Sequence, residues 1–192
     1  MNNLKRCFWC DSIKPDYLDY HDKEWGVPVH DDRLLFEYLI LEGAQAGLSW
    51  YTVLTKRPRY RELFCNFEAE KIVDFDDEKI AAVLADPGII RHRGKVEATV
   101  GNARAFLKVC EEFGAFNSYI WQFVEGKPVV NNIRTPEDYV SSSLESDAMS
   151  RDLKKRGFKF VGSTICYAYM QAVGMVNDHQ VDCFRYHEII GL

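Results

Sequence analysis

The apolar residues of this chain recur at the three- to four-residue interval of an α-helix along nearly the whole sequence, and this spacing most constrains its fold. The spacing predicts helices over residues 31–42, 49–56, 76–85, 95–110 and 146–157, and a buried helix over 163–176. The strict alternation of a half-buried strand is missing, and residues 127–133 form at most a short extended stretch. The sequence therefore predicts an all-α fold.

The length of the chain and the absence of a linker-like segment predict a single folded unit. The 192 residues contain no Pro/Gly/Ser-rich linker, and a chain of this length buries enough surface to need no disulfide framework. The longest uncharged run, residues 160–177, includes two glycines and several polar side chains, so it indicates a buried helix rather than a membrane span. The first residues lack an apolar signal core. We expect a monomeric cytoplasmic protein, one unit over 1–192, without a membrane partner.

The distribution of charge is more informative than its sum. Twenty-four Lys and Arg against 29 Asp and Glu leave a net charge of −5, which argues mildly against a general nucleic-acid coat. Two local segments are nevertheless cationic, Arg91–Lys95 and Lys154–Lys159, and each contains a glycine. A solvated helix end and a contact with phosphate both explain such segments. The second segment also lies where one predicted helix ends and another begins, a corner whose backbone amides can hold phosphate.

Cysteine and histidine spacing indicates a candidate metal site. His179 and Cys183 are four residues apart, so on a helix or a single turn they can share one ion. The other ligands could be Cys7 and His21, or Cys7 and Cys10 as a Cys-x-x-Cys pair. A site that joins the two chain ends through four protein ligands would be closed, hence structural. Ordinary core or surface positions are the alternative for each residue.

A carboxylate and a group of aromatic residues form the second candidate site. Glu42 continues an apolar helical stripe, where it either reaches solvent from the helix end or is buried and awaits a cationic or hydrogen-bonding ligand. The first fifty residues are rich in large aromatic side chains: Phe8, Trp9, Tyr17, Tyr20, Trp25 and Trp50. They pack a core, or they form a socket for a flat, positively charged ring.

Four segments in order, Tyr20–Pro28, Leu41–Trp50, Gly88–Lys95 and Lys155–Gly162, resemble the bacterial DNA-3-methyladenine glycosylase I family. The resemblance extends from about Lys5 to Cys183. It implies a helix-hairpin-helix DNA glycosylase fold, with the hairpin motif near 147–176 and a lobe formed by zinc-tethered chain ends. The glycine-bounded turn at 157–162 would be the hairpin.

The resemblance also implies roles for individual residues. It implies one structural zinc ion at Cys7, His21, His179 and Cys183, with Cys10 as a competitor for the place of Cys7. It implies that Glu42 is the catalytic carboxylate and that Tyr20, Trp50, Trp9 and Tyr17 surround the base. Leu48, after Gly47, is the residue expected to wedge into the duplex. The residues expected to contact DNA are Gly47, Leu48, Arg91, Arg93, Lys95, Gly157, Lys159 and Gly162.

The activity implied is release of 3-methyladenine from alkylated double-stranded DNA, which leaves an abasic site and the free base. The wider superfamily places a catalytic aspartate after the hairpin, where this chain has Asn177, and Asp178 is one residue out of register. With no evident hairpin lysine nucleophile, we expect an enzyme without lyase activity. A zinc hydrolase and a DNA-binding module without catalysis are the competing hypotheses.

Overall fold

The computed structural model describes residues 4–10 and 13–191, and most of this chain is helical. The α-helices are α1 (Pro15–Lys23), α2 (Asp32–Gln45), α3 (Trp50–Leu54), α4 (Arg57–Leu63), α5 (Ala69–Ile72), α6 (Asp77–Ala85), α7 (Arg93–Phe113), α8 (Phe116–Ile120), α9 (Leu144–Lys155), α10 (Ser163–Ala172) and α11 (Phe184–Ile190). Short 3₁₀ turns cover Cys65–Phe67, Trp121–Val124 and Pro136–Asp138, and two short strands are β1 (Val129–Val130) and β2 (Val176–Asn177). No helix of the described residues is long and apolar enough to cross a membrane.

Helix α2 lies at the centre of the molecule. Asp31 caps the start of this helix, because its carboxylate accepts a hydrogen bond from the Leu34 N–H at 2.8 Å. Every residue from Leu35 to Ala44 is buried, because α3, α7, α8 and α10 surround the helix. A helix buried on all sides carries its polar side chains into the interior, and this places Glu42 there.

The predicted start of α9 is wrong by three residues. Ser143 is the capping residue, and its hydroxyl accepts a hydrogen bond from the Ser146 N–H at 3.2 Å. The Ser146 hydroxyl in turn accepts a hydrogen bond from the Ser143 N–H at 2.8 Å. Ser146 therefore occupies the third helical position of a capping box. The predicted end is confirmed, since Gly157 has φ +93° in the connection to α10. We call this connection, residues 156–162, the α9–α10 turn.

The predicted helix over 163–176 is too long, because α10 ends at Ala172. Gly174 has φ +73°, and a Cβ there would lie 2.4 Å from the backbone of Val27 and Pro28, so the chain must turn closely against that segment. Strand β2 then pairs in parallel with β1, Val129 opposite Val176. Strands of two residues are too short to show alternation in a sequence. The fold is mostly helical, and the all-α prediction misses this one strand pair.

Candidate active site and metal centre

Four buried side chains from both ends of the chain meet in a Cys/His cluster: Cys7, His21, His179 and Cys183. Their sulfur and ring nitrogen atoms all lie within 4.8 Å of one another. His21 comes from α1, and the turn after β2 supplies His179 and Cys183. Cys7, and not Cys10, belongs to the cluster. The four residues predicted to meet therefore do so.

Distances within the Cys/His cluster fit a tetrahedral metal site. The Cys7 Sγ lies 3.4 Å from His179 Nδ1, and Cys183 Sγ lies 3.5 Å from the same nitrogen and 3.6 Å from His21 Nε2. A tetrahedral zinc ion with ordinary Zn–S and Zn–N bonds sets its sulfur and nitrogen ligands about 3.5 Å apart. The contact between the two sulfurs raises the pKa of Cys7 and lowers that of Cys183, which favours a thiolate at Cys183.

The second ring nitrogen of each histidine also has a partner. His21 Nδ1 lies 2.8 Å from Asp22 Oδ1, and Arg6 in turn binds Asp22 at 2.6 Å. His179 Nε2 lies 3.0 Å from the Trp25 carbonyl oxygen. Metal-binding histidines are held in this way, because the outer hydrogen bond fixes the tautomer and aims the free nitrogen at the ion. The donor set and its surroundings thus fit a zinc ion.

A cavity of about 200 Å³ lies beside the Cys/His cluster. It is lined by Trp9, Tyr17, Tyr20, Trp25, Glu42, Gln45, Trp50, Tyr139, Ala168 and Gln171, and we call it the aromatic pocket. The four aromatic residues predicted to surround a base are all among them, together with Glu42. The ring centres of Trp9 and Trp25 are 4.8 Å apart, and those of Tyr20 and Trp50 are 5.3 Å apart. Faces of this kind suit a flat ring.

Glu42 is 3% exposed, so the alternative that it reaches solvent from a helix end is wrong. Its Oε2 has no hydrogen-bond partner among the described residues. Burial raises the pKa of this carboxyl to about 8. A buried carboxyl without a partner is costly, and it is a strong acceptor for a ligand that enters the aromatic pocket.

Two hydrogen-bond donors accompany this carboxyl. Burial, together with nearby Glu42, raises the pKa of the Tyr20 hydroxyl well above its usual value, so that it stays protonated. The Trp50 Nε1 is buried without a partner in the part of the chain that the structure describes. Ser49 positions this indole by capping α3, since its hydroxyl accepts a bond from the Thr52 N–H at 3.3 Å. The pocket thus combines aromatic faces with acceptor and donor groups.

Sequence reasoning missed Gln171 and the wall behind it. The Gln171 amide donates to Asp178 at 2.7 Å, and Asp178 also accepts from the Tyr167 hydroxyl at 2.9 Å and the Asn131 amide at 2.7 Å. Asp178 is 1% exposed and fully bonded, so it supports the pocket wall and is not free to activate water. The one available signal is a glutamine near the end of the mostly apolar helix α10.

Most of the residues predicted to contact DNA are exposed, whereas Lys95 and Gly162 are half-buried. Leu48 is 43% exposed after Gly47, whose φ is +80°, and a groove of about 150 Å³ joins Leu48 to Glu42. Arg91, Arg93, Gly157 and Lys159 are exposed, and Gly162 precedes α10 as its capping residue. Lys95 is half-buried, and its ammonium donates to carbonyl oxygens within the protein.

Known proteins share the sequence and the fold of this chain. A sequence profile described as methyladenine glycosylase matches residues 9–186. The chain is 50% identical to DNA-3-methyladenine glycosylase 1 of Escherichia coli K12, over 95% of this chain and 97% of the relative. It is 48% identical to DNA-3-methyladenine glycosylase of Haemophilus influenzae, over 93% and 96%. A crystal structure of a 3-methyladenine DNA glycosylase I variant in complex with 3-methyladenine has TM-score 0.91 at 35% identity, over 94% and 97%.

The fold and the acid-bearing aromatic pocket define a helical protein with a pocket suited to a flat ring. The match of sequence and structure over nearly the whole length is specific: the chain belongs to the methyladenine glycosylase family.

Proposed function

We propose that this enzyme is a base-excision repair glycosylase that flips N3-methyladenine out of alkylated double-stranded DNA and hydrolyses its glycosidic bond. The products are free 3-methyladenine and an abasic site. The observation that carries the proposal is the Glu42 carboxyl, which is buried against aromatic rings with one oxygen unbonded among the described residues. The relatives from E. coli and H. influenzae support it by name.

The charge of the substrate explains why one carboxylate suffices. N3-methyladenine in DNA is cationic, so its glycosidic bond is already weakened. When that bond breaks, its electron pair moves to the base, which leaves neutral, and water adds to C1′ of the sugar while its proton passes to solvent. Glu42 accepts a hydrogen bond from the adenine edge. A cation beside it lowers its pKa from about 8, so that the bound state holds the carboxylate.

The aromatic walls add recognition of the charged ring. Trp50 and the neighbouring Tyr20 offer ring faces, and a cation over such a face gains about 0.5–2 kcal/mol depending on how dry the pocket is. Normal adenine lacks the charge and is held in a base pair, so it loses both this attraction and the ease of flipping. Tyr20 donates a second polar contact to the base.

We assign the α9–α10 turn as the hairpin of a helix-hairpin-helix motif. Its backbone amides, the exposed Lys159 and the Arg91 and Arg93 side chains contact phosphates, which position the protein without reading sequence. Leu48 fills the space that the flipped nucleotide leaves. The groove between Leu48 and Glu42 gives the base a short path into the aromatic pocket.

Hydrolysis without strand cleavage follows from the lining of the pocket. A lyase needs an amine that attacks C1′, and no lysine lines the aromatic pocket in the part of the chain described. Asn177 is buried and its amide donates to the Tyr186 carbonyl oxygen at 3.1 Å, away from any attacking role. We therefore propose a monofunctional glycosylase.

The Cys/His cluster holds one structural zinc ion in this proposal. Cys7, His21, His179 and Cys183 would together hold the ion through four protein ligands, which would leave no position for a reacting water. The zinc would supply cross-linking rather than chemistry, because it ties the segment at Cys7 and helix α1 to the turn that carries Cys183. This arrangement does not favour the zinc hydrolase hypothesis.

The test is base release from a duplex that contains 3-methyladenine, with unmodified duplex as the control. We expect chromatography to show free 3-methyladenine in step with abasic sites, and strand breaks only after heat or alkali. Tight binding without release would favour the non-catalytic DNA-binding hypothesis. Loss of activity at the moment of chelation, before any loss of structure, would favour the zinc hydrolase.

A further inference from the structure

Two polar side chains on one face of α7 reach the two surface segments that the proposed function places against DNA. Lys95 and Asn102 are seven residues apart, or two helical turns, so they point to the same side. Lys95 contacts the end of α2, where residues 46–49 begin; we call these residues the wedge loop. Asn102 contacts the α9–α10 turn.

Lys95 closes the carboxyl end of α2. Its ammonium donates to the Ala44 and Ala46 carbonyl oxygens, both at 2.8 Å. The last carbonyls of a helix lack partners within the helix, and a cation there interacts favourably with the helix dipole. Helix α2 has no basic residue in its own last turn. Helix α7 therefore supplies the charge that α2 does not provide.

The Lys95 contact lies at the start of the wedge loop. Ala46, one of the two residues that Lys95 binds, immediately precedes Gly47 and the exposed Leu48. Gly47 has φ +80°, and a Cβ added to it would meet no atom within 4 Å. The space around Gly47 is therefore open, and the wedge loop is held at its two ends, by Lys95 at Ala46 and by Ser49 as the cap of α3.

Asn102 holds the α9–α10 turn by bonding both the N–H and the carbonyl group of Lys159. Its Oδ1 accepts from the Lys159 N–H at 2.8 Å, and its Nδ2 donates to the Lys159 carbonyl oxygen at 3.0 Å. The next residue, Phe160, has φ +57°, a conformation that residues with a Cβ rarely adopt. Such backbone persists where the surroundings impose it, and the buried Asn102 is part of those surroundings.

The end of α2 and the α9–α10 turn also touch directly. A Cβ on Gly43 would lie 3.2 Å from the Phe160 Cβ and 3.3 Å from the Phe160 carbonyl oxygen. Helix α2, the α9–α10 turn and α7 therefore meet around one point. Because they are packed together, a shift of the wedge loop or of the α9–α10 turn would disturb the contacts among all three elements.

We propose that Lys95 and Asn102 are positioning residues for nucleotide flipping, and that α7 fixes the spacing between the wedge loop and the α9–α10 turn. Leu48 then enters the duplex at a set distance from the phosphates that the turn binds. The two anchoring residues lie about 10 Å apart along the helix, which is about three base steps along one strand. The inference rests on the proposed function, because it concerns the same DNA surface.

The first test is Lys95→Met in single-turnover release of 3-methyladenine from duplex DNA. We expect release to slow about tenfold, with the affinity for free 3-methyladenine and the salt dependence of duplex binding unchanged. Lys95→Arg, which keeps the charge and the donors, should retain most of the rate. Lys108→Met is the matched control, because it removes an exposed lysine from the same helix and should release base at the wild-type rate.

A double-mutant cycle separates positioning from general destabilisation. Leu48→Ala should slow release by itself, and the addition of Lys95→Met should then cost less than about twofold, because Lys95 acts through Leu48. A further tenfold loss in the double variant would overturn the proposal. So would a reduced salt dependence in Lys95→Met, which would make Lys95 a phosphate ligand.

Hydrogen exchange tests the anchoring without catalysis. Lys95→Met should speed exchange in the wedge loop and leave the Lys159 amide protected, whereas Asn102→Leu should speed exchange at the Lys159 amide. If the wild-type protein released no base, the proposed function would fail. Hydrogen exchange would still show whether Lys95 and Asn102 hold the two segments in place. Unchanged exchange of the wedge loop in Lys95→Met would overturn the proposal in either case.

Discussion

The Cys/His cluster and the aromatic pocket are neighbours, and they differ in whether their buried polar atoms have hydrogen-bond partners. Trp9 and Trp25 line the pocket and also contact the cluster histidines, with ring centres 5.3 Å from His21 and 4.6 Å from His179. In the cluster, the outer nitrogen of each histidine has a partner. In the pocket, Glu42 Oε2 has none among the described residues.

This difference distinguishes a structural centre from a recognition site. Buried polar groups that are fully bonded stabilise one conformation, as at His21 and His179. An unbonded buried carboxyl costs stability and persists where a ligand completes it, as we propose for Glu42. Substitutions should therefore reduce stability in the cluster, and in the pocket they should reduce activity and leave the fold intact.

The largest expected effect is at the cluster. Cys183→Ser removes one of the four side chains of the cluster that we propose binds zinc, so we expect the zinc content to fall well below one per chain and the free energy of unfolding to fall by about 5 kcal/mol or more. Metal analysis and thermal unfolding measure both. Cys10→Ser is the control and should keep one zinc. Retention of zinc in Cys7→Ser together with its loss in Cys10→Ser would contradict the assignment of Cys7.

The corresponding change in the pocket is Glu42→Gln. It keeps the size of the side chain and removes the charge, so we expect single-turnover release of 3-methyladenine to fall by 10²–10³-fold, which is about 3–4 kcal/mol. Binding to undamaged duplex should barely change, because phosphate contacts dominate it. An unchanged release rate in the folded variant would show that Glu42 has a structural role.

The same variant should be more stable than the wild type, in contrast to a cluster variant. The pKa of Glu42 is about 8 when folded and near its ordinary value of about 4.5 when unfolded, so the folded state binds more protons between these values. Wild-type stability therefore falls as the pH rises from 4.5 to 8. We expect Glu42→Gln to gain up to about 3 kcal/mol at pH 7 and almost nothing at pH 4. Denaturant unfolding at both pH values is the measurement, and an equal gain at each would rule out this cause.

The smallest effect should come from Lys159→Ala, which lies outside both sites. The substitution keeps the backbone bonds to Asn102, so the turn stays in place. We expect the salt slope of duplex binding to drop by about one and the affinity to weaken several-fold, with zinc content and unfolding unchanged. Fluorescence anisotropy across a salt series measures it. An unaltered slope would remove Lys159 from the phosphate contacts.

The sequence by itself indicated most of the helices and several members of both sites. Caps such as Asp31 and Ser49, the four-residue spacing of His179 and Cys183, and the apolar stripe that continues to Glu42 are local patterns. Such patterns can be read because residues three or four apart on a helix share a face whatever the rest of the chain does.

The tertiary structure alone decided which partner each polar side chain meets. Lys95 lies in a cationic segment that predicts phosphate contact, yet it binds Ala44, 51 residues away in the chain. Asp178 supports Gln171 from behind the pocket, and Glu42 is buried because other helices surround α2. The parallel strand pair likewise joins residues 47 positions apart. Local spacing gives the direction of a side chain, but burial and partners depend on segments that pack against it from distant parts of the sequence.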